Sequence, residues 1–274
     1  LYSADAFIGG STTMLIQLKP RFILDQLPPL FILPEVTDSS LWYGGKIHFV
    51  DKEKAYILPF VLIPWAPIFV NNRVFDPKEI KSYRDLLKPS LKGKIIMGDP
   101  TLPGAGLRFI SITSEEYLGY DFHREFAPQV DAIQRDERLV IDWVAQGKYP
   151  VGTGVRPDLV NDYLRAGAPL SLITPKEGEW LAGSGGVLGV INKAAHPYAT
   201  KVFVNWLLSR EGQLIFSSIT DQQSAREDLP TDFLDPVGVR KPSVPYLHME
   251  DEEFLLREPK NAKKAQEIFS HLLR

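Results

Sequence analysis

The 274 residues are 44% hydrophobic and 24% charged, with 31 Lys plus Arg against 34 Asp plus Glu and a formal net charge of -3. Such a chain can fill the core of one large or two medium domains, and its near-balanced charge, with no long basic block, argues against nucleic acid as a partner. Cysteine is absent, which excludes disulfides, thiolate metal sites and a Cys nucleophile. The longest apolar stretch, residues 57–70, carries three prolines and falls short of a bilayer span, which takes about 20 apolar residues.

In chain order, Ala6-Phe7-Ile8 reads as a strand, Gly9-Gly10-Ser11-Thr12-Thr13 as a turn, and Met14, Leu15 and Leu18 as the apolar side of a helix. Because ADAFIGG already reads as a buried strand and the first residue is Leu1, the chain is expected to begin inside a domain. The same grammar returns at Lys94–Met97, followed by Gly98–Gly106 and an apolar face of Leu107, Phe109 and Ile110. It returns again at Tyr149–Thr153, where Pro157 and Asp158 predict a helix start and Gly167 a stop, giving a helix over 157–165. Leu170–Ile173 reads as a further strand.

Pro197 opens a predicted helix with Ala199, Val202, Phe203, Trp206 and Leu207 on one face. A second helix follows over 210–216, and a third ends the chain with Ala265, Ile268, Phe269 and Leu272 in register. Thr220–Pro245 holds four prolines and reads as connection. Residues 57–70 and 186–191 do not fit strand-then-helix grammar and are expected to join two lobes, so the fold class is α/β.

Three loops at strand-to-helix junctions are candidate binding elements: Ser11, Thr12 and Thr13; Asp99, Thr101, Gly104, Ala105 and Gly106; and Thr153, Gly154 and Arg156. Free backbone N–H groups and the helix dipole favour an anion or an oxygen-rich ligand at such corners, and ligands of open α/β sheets sit beyond the carboxyl ends of strands. Taken singly, the same residues serve equally as helix caps and turns. A guanidinium at Arg156 can grip carboxylate or phosphate bidentately, although a solvated arginine is an equal reading. Trp65 and Trp180 could wall a cleft, with packing the default for Trp65. Glu177 and Glu179 read as charges in a loop.

Enzyme signatures are missing. Ala182-Gly183-Ser184-Gly185-Gly186 puts Ala182 where a nucleophile elbow needs glycine. Pro157 stands where a dinucleotide fingerprint needs its third glycine, and no phosphate-loop Lys follows a glycine cluster. The five histidines lie far apart, no metal site is expected, and no cofactor is called for. The acidic run Glu250–Glu253 reads as a solvated face.

The stretches ADAFIGGSTT at 4–13, IFVNNRVFDPKEIKSYRDLLKPSLKGKIIMGDPTLPGAG at 68–106, GKYPVGTG at 147–154, LRAGAPLSLITPKEG at 164–178 and HPYATKVFVNWLLSREGQLIF at 196–216 together resemble the bacterial extracellular solute-binding proteins of the ferric-iron, thiamine and phosphonate type. The resemblance implies a two-lobed type II periplasmic-binding fold with hinge strands, the first lobe lacking its opening strand, helix and strand. One lobe is expected from 1–70 and 188–235, the other from 71–187 and 236–274. It further implies no enzyme but the binding component of an ABC importer, closing on a solute between lobes, working with permease subunits, monomeric, and periplasmic or anchored outside the membrane. The iron-binding branch offers adjacent tyrosines after the strand matching 151–153, where this chain has Gly154-Val155-Arg156-Pro157. A small carboxylate- or phosphate-bearing solute is therefore expected, with a chelated metal or ferric iron as the alternative. A ligand-sensing regulatory domain or an enzyme on the same fold is the alternative from another class.

Overall fold

The computed structural model describes residues 4–65, 68–114, 118–183, 185–242, 244, 246–248 and 251–273. Ser184 and Glu250, weighed above, and Pro67, the third proline of the 57–70 stretch, lie outside the described residues. In chain order the strands are β1 (Ala6–Ile8), β2 (Leu24–Asp25), β3 (Leu58–Pro59), β4 (Ile63–Trp65), β5 (Ile68–Asn71), β6 (Ile95–Gly98), β7 (Val130–Gln134), β8 (Val151–Thr153), β9 (Leu170–Ile173), β10 (Glu179–Ala182), β11 (Val187–Ile191) and β12 (Tyr246–His248). The α-helices are α1 (Ser11–Thr13), α2 (Pro34–Thr37), α3 (Ala105–Ile112), α4 (Gly119–Phe126), α5 (Glu137–Ala145), α6 (Pro157–Arg165), α7 (Pro197–Leu208), α8 (Arg210–Thr220) and α9 (Glu252–Ile268). They alternate with strands as an α/β chain should.

The chain divides into two compact units, Leu1–Pro64 with Leu181–Leu256, and Trp65–Trp180 with Arg257–Arg274. These boundaries fall inside β4 and β10 and in α9, not at 70/71, 187/188 and 235/236. The reason is pairing. β5 is hydrogen-bonded on both sides into the second unit's sheet, while β11, expected to be a connector, is the fully buried centre of the first unit's sheet and pairs with β1, β2 and β3. Glu179, read as a loop charge, lies in β10, buried, with its carboxylate accepting a hydrogen bond from the Thr174 hydroxyl.

Polar ties organise the first unit. Asn205 uses its whole amide: Oδ1 accepts from the N–H groups of Ile32 (2.8 Å) and Leu33 (3.1 Å), and Nδ2 donates to the carbonyls of Leu30 and Lys201, both at 2.8 Å. Ser209 caps α8, and the buried Gln213 donates to the Leu207 carbonyl at 2.8 Å and accepts from Ser224 Oγ at 2.5 Å. Arg226, with a fully buried guanidinium, forks onto Asp228 at 2.9 and 2.8 Å and donates to the carbonyls of Glu35 and Leu208. A charge that deep persists because every nitrogen has an acceptor. These ties give the irregular segment after α8 its order.

On α7 four of the five residues of the apolar stripe read from sequence face away from the core, and only Leu207 is buried. Val202 is 67% exposed and Trp206 41%, whereas Thr200, Val204, Leu207 and Leu208 are buried. Periodicity located the helix, but Asn205 sets its rotation, because its amide must reach the 30–33 backbone.

The second unit is built on a five-stranded sheet in the order β7-β6-β8-β5-β9. β6 runs parallel to β7 and β8, and β5 alone runs against its neighbours. Phe69, Ile96, Val140, Ile141, Val144, Val155 and Val160 form its core, and the buried Asn71 amide donates to the Val144 and Ala145 carbonyls at the end of α5. The parallel strands place three strand-to-helix corners, before α3, α5 and α6, along one edge.

His123 on α4 is wholly buried; its Nε2 meets Thr113 Oγ1 at 2.8 Å and its Nδ1 has no partner among the described residues. Burial pushes the imidazole down from 6.5 to about 4 despite the Thr113 contact, so the fold holds the ring neutral. The unfolded chain binds a proton that the folded chain refuses, and the stabilisation present above pH 6.5 is lost as pH falls toward 4, by on the order of 3 kcal/mol. Urea midpoints measured between pH 7 and 4 are expected to fall across that window, and His123→Phe is expected to flatten the fall.

Candidate functional site

The corners after β6 and β8 touch backbone to backbone. A Cβ on Gly98 would lie 2.0 Å from the Gly154 carbonyl oxygen, and one on Gly106 would lie 2.3 Å from that of Asp99. Gly154 itself has φ +69, a left-handed conformation open to glycine. No other residue type allows this approach. The third corner joins through the Asp99 N–H, which donates to the Gln134 carbonyl at the end of β7 at 3.0 Å. Gly98, Asp99, Leu102–Gly106, Arg135, Glu137 and Gly154 thereby line one hollow of 100 Å³. That space admits a group of a few heavy atoms, such as a carboxylate or phosphoryl, since a water molecule takes about 30 Å³.

The three helix starts differ in what already satisfies them. Asp136 caps α5, its carboxylate accepting from the N–H groups of Arg138 (2.9 Å) and Leu139 (3.4 Å). At α6 the N-cap Arg156 provides no side-chain hydrogen bond, but Glu137 Oε2 accepts the Arg156 N–H at 2.7 Å, so a resident carboxylate stands at that helix start. At α3, Gly104 is the N-cap and provides no side-chain hydrogen bond. Its first-turn N–H groups, at Ala105 and Gly106, border the hollow and can donate to a ligand there.

Charges ring the hollow in alternation. Asp99 is rigid: Oδ1 accepts from the Thr101 N–H (2.8 Å) and hydroxyl (2.6 Å), and Oδ2 faces Arg135 Nε at 3.3 Å. Its side chain is only 8% exposed against 80% for Arg135, so the carboxylate is fixed and the guanidinium free to re-aim. Arg156, 53% exposed, lies 3.8 Å from both Glu137 and Asp158. At that distance neither contact is a hydrogen bond, and its donors stay available.

The structure thus gathers Asp99, Thr101, Gly104, Ala105, Gly106 and Gly154 at one corner, with Thr153 buried at the end of β8 beneath it and Arg156 beside it. Ser11, Thr12 and Thr13 belong to the first unit, as α1. Trp65 and Trp180 are buried, Trp180 edge-on to Tyr83 at 6.0 Å. Glu177 accepts from the Ser82 hydroxyl and ties its loop to the capped turn at 83–87. Sequence reasoning missed Arg135 and Glu137, although Asp136 ahead of Leu139, Val140 and Val144 carries the N-cap signature that would have marked the corner.

Gly98→Ala is expected to cost at least about 3 kcal/mol, because the added methyl meets rigid backbone, whereas Gly10→Ala, with nothing within 4 Å, is expected to cost a few tenths. Urea unfolding followed by tryptophan fluorescence separates the two.

Comparison with known proteins gives this geometry a lineage. Residues 42–218, well over half of the chain, match the family described as bacterial extracellular solute-binding protein. An uncharacterized protein of Haemophilus influenzae is 33% identical over 141 residues, which span 50% of this chain and 40% of that relative. Among solved structures, an ABC transporter protein from Clostridium perfringens superposes over 100% of this chain and 84% of its own at a TM-score of 0.73 and 14% identity. The periplasmic binding protein AfuA from Actinobacillus pleuropneumoniae, with fructose-6-phosphate bound, gives 0.60 and 20% over 98% and 81%. The ferric binding protein from Campylobacter jejuni gives 0.67 and 17% over 98% and 84%. These likenesses establish the two-lobed periplasmic-binding fold, and the family match establishes the lineage: the chain belongs to the bacterial extracellular solute-binding proteins.

Proposed function

We propose that this chain serves an ABC-type importer outside the cytoplasmic membrane as its solute-binding component, and that its second unit holds the anionic group of a small phosphorylated or carboxylated solute. One observation carries the reading: the start of α3 lacks a side-chain cap and opens onto a hollow the size of a single anionic group. Backbone donors at a helix start favour such a group, and the guanidinia of Arg135 and Arg156 stand at the same corner with room to turn toward it.

The carboxylates of Asp99 and Glu137 complement the other part of such a solute. Asp99 is held rigid by Thr101, and a fixed acceptor beside an anion site suits the hydroxyls of a sugar or polyol. A hexose phosphate offers both groups, and the AfuA structure shows that a protein of this fold takes one. Glu137, already on the Arg156 N–H, supplies the selectivity: a ligand anion at α6 would have to displace it, so the anion is directed to α3. Binding rather than catalysis accords with the family, and no helix among the described residues is long and apolar enough to cross a membrane.

Titration calorimetry of the purified protein with glucose 6-phosphate, inorganic phosphate, citrate and ferric citrate tests the assignment. Saturable binding of a phosphorylated or carboxylated compound is expected, weakened about tenfold or more in both Arg135→Ala and Arg156→Ala, the loss of one charge-assisted hydrogen bond. Binding of ferric citrate alone, with a visible charge-transfer band, would overturn the assignment, as would anion affinities that neither arginine variant changes.

A further inference from the structure

We propose that the first unit carries a second small-molecule site, which takes an organic cation: an ammonium or guanidinium group on a compact apolar body. The site is a cavity of 510 Å³ bounded by the 15–26 segment, Glu53, Tyr56, Asn192 and the start of α9, within the roughly 300–1,000 Å³ typical of small-molecule sites. All of its lining residues belong to the first unit, so it owes nothing to the anion corner of the second.

Its walls are apolar and aromatic. Leu15 and Leu24 are buried beneath it, Tyr56 forms one side, and Phe22 and Leu256 stand exposed around it. Phe22 is anomalous twice over, being 83% exposed and in the left-handed conformation at φ 55 and ψ 31, a region that bulky residues avoid. The conformation is imposed from both sides: the Phe22 N–H donates to the Lys19 carbonyl at 3.0 Å, and Asn192 Nδ2 donates to the Phe22 carbonyl at 3.2 Å. Holding a strained aromatic in water at the mouth of a cavity accords with a ligand that covers it.

The charge decides the class. Asp25, Glu53 and Glu252 line the cavity against a single cation, Lys19. The Lys19 ammonium already meets Glu53 Oε2 at 2.5 Å and Glu252 Oε2 at 3.2 Å. Burial alone would lower its pKa, but the bonds to Glu53 and Glu252 outweigh burial and raise it, so Lys19 remains charged and paired. Three carboxylates against one ammonium leave two negative charges in surplus. Asn192 gives one of its two amide hydrogens to Phe22 and offers Oδ1 as a further acceptor beside the carboxylates. An anion would be repelled, and a neutral apolar ligand would strip water from carboxylates without replacing it. A cation seated against Phe22 and Tyr56, the latter's ring centroid already 5.9 Å from the Lys19 ammonium, and among these acceptors meets both demands.

Calorimetric titration of the full chain at low salt with benzyltrimethylammonium, benzyl alcohol and benzoate tests the proposal. The cation is expected to saturate one site, with benzyl alcohol and benzoate at least about tenfold weaker. Asp25→Asn, which leaves both partners of Lys19 intact, is expected to weaken the cation about threefold or more. Phe22→Gly relaxes the left-handed position, so it is expected to keep or raise the melting temperature while weakening the cation about fivefold. Saturating inorganic phosphate is expected to leave the cation's affinity unchanged. Absence of saturable cation binding, benzoate binding as tightly as the cation, or a folded Phe22→Gly variant with wild-type affinity would overturn the proposal.

Discussion

The candidate anion site depends on how closely two polypeptide backbones can approach. Gly98, Gly106 and Gly154 bring the corners after β6 and β8 within a distance that a methyl group would occupy, so the donors at α3 and the backbone that carries Arg156 belong to one rigid arrangement. Nothing in that contact attracts strongly. Its effect is steric, and it lets the parallel sheet deliver helix starts to a common edge. The registers of β6 with β7 and β8 fix where along the edge each corner falls.

Electrostatics then distinguishes corners that geometry leaves alike. An aspartate caps α5, a glutamate borrowed from α5 takes the N–H of Arg156 just ahead of α6, and α3 has neither a side-chain cap nor a carboxylate on its N-cap N–H among the described residues. In the proposed reading an anion is directed to α3 because Asp136 and Glu137 already stand at the other two helix starts. The cavity of the first unit shows the reverse logic, with carboxylates exceeding the one lysine that pairs with them. Within one chain of nearly balanced charge, the surroundings of the two candidate sites thus differ in ways that net charge conceals.

The stretch NWLLSREGQ, part of the 196–216 segment that carries the resemblance, supports the fold and holds no group of the candidate site. Asn205 secures the 30–33 backbone, Ser209 caps α8, Gly212 lets α8 start against the Trp206 carbonyl, and Gln213 meets Ser224. Together with the buried Arg226 fork, these polar ties order a proline-rich segment that has almost no regular secondary structure. Such a motif is recognisable because each of its groups has a specific backbone partner, which is a demand of folding and not of recognition.

Much of the architecture was legible from residue order alone. Pro157, Asp158 and Gly167 bracketed α6, Leu170–Ile173 proved to be β9, and the glycines of 98–106 and 154 marked two of the three corners, because caps, turns and left-handed positions are local demands that local sequence must meet. The third corner went unread: Arg135 and Glu137 matter only through neighbours brought in by β7 pairing with β6. The rotation of α7, the central place of β11 and the burial of Glu179 also escaped, since each depends on a partner far away in sequence. Composition and pattern determined an α/β binding fold with helix-start loops. Tertiary structure alone decided which helix starts a carboxylate from elsewhere reaches and where carboxylates outnumber their cation, because hydrogen bonds and fields depend on distances in space that residue order does not contain.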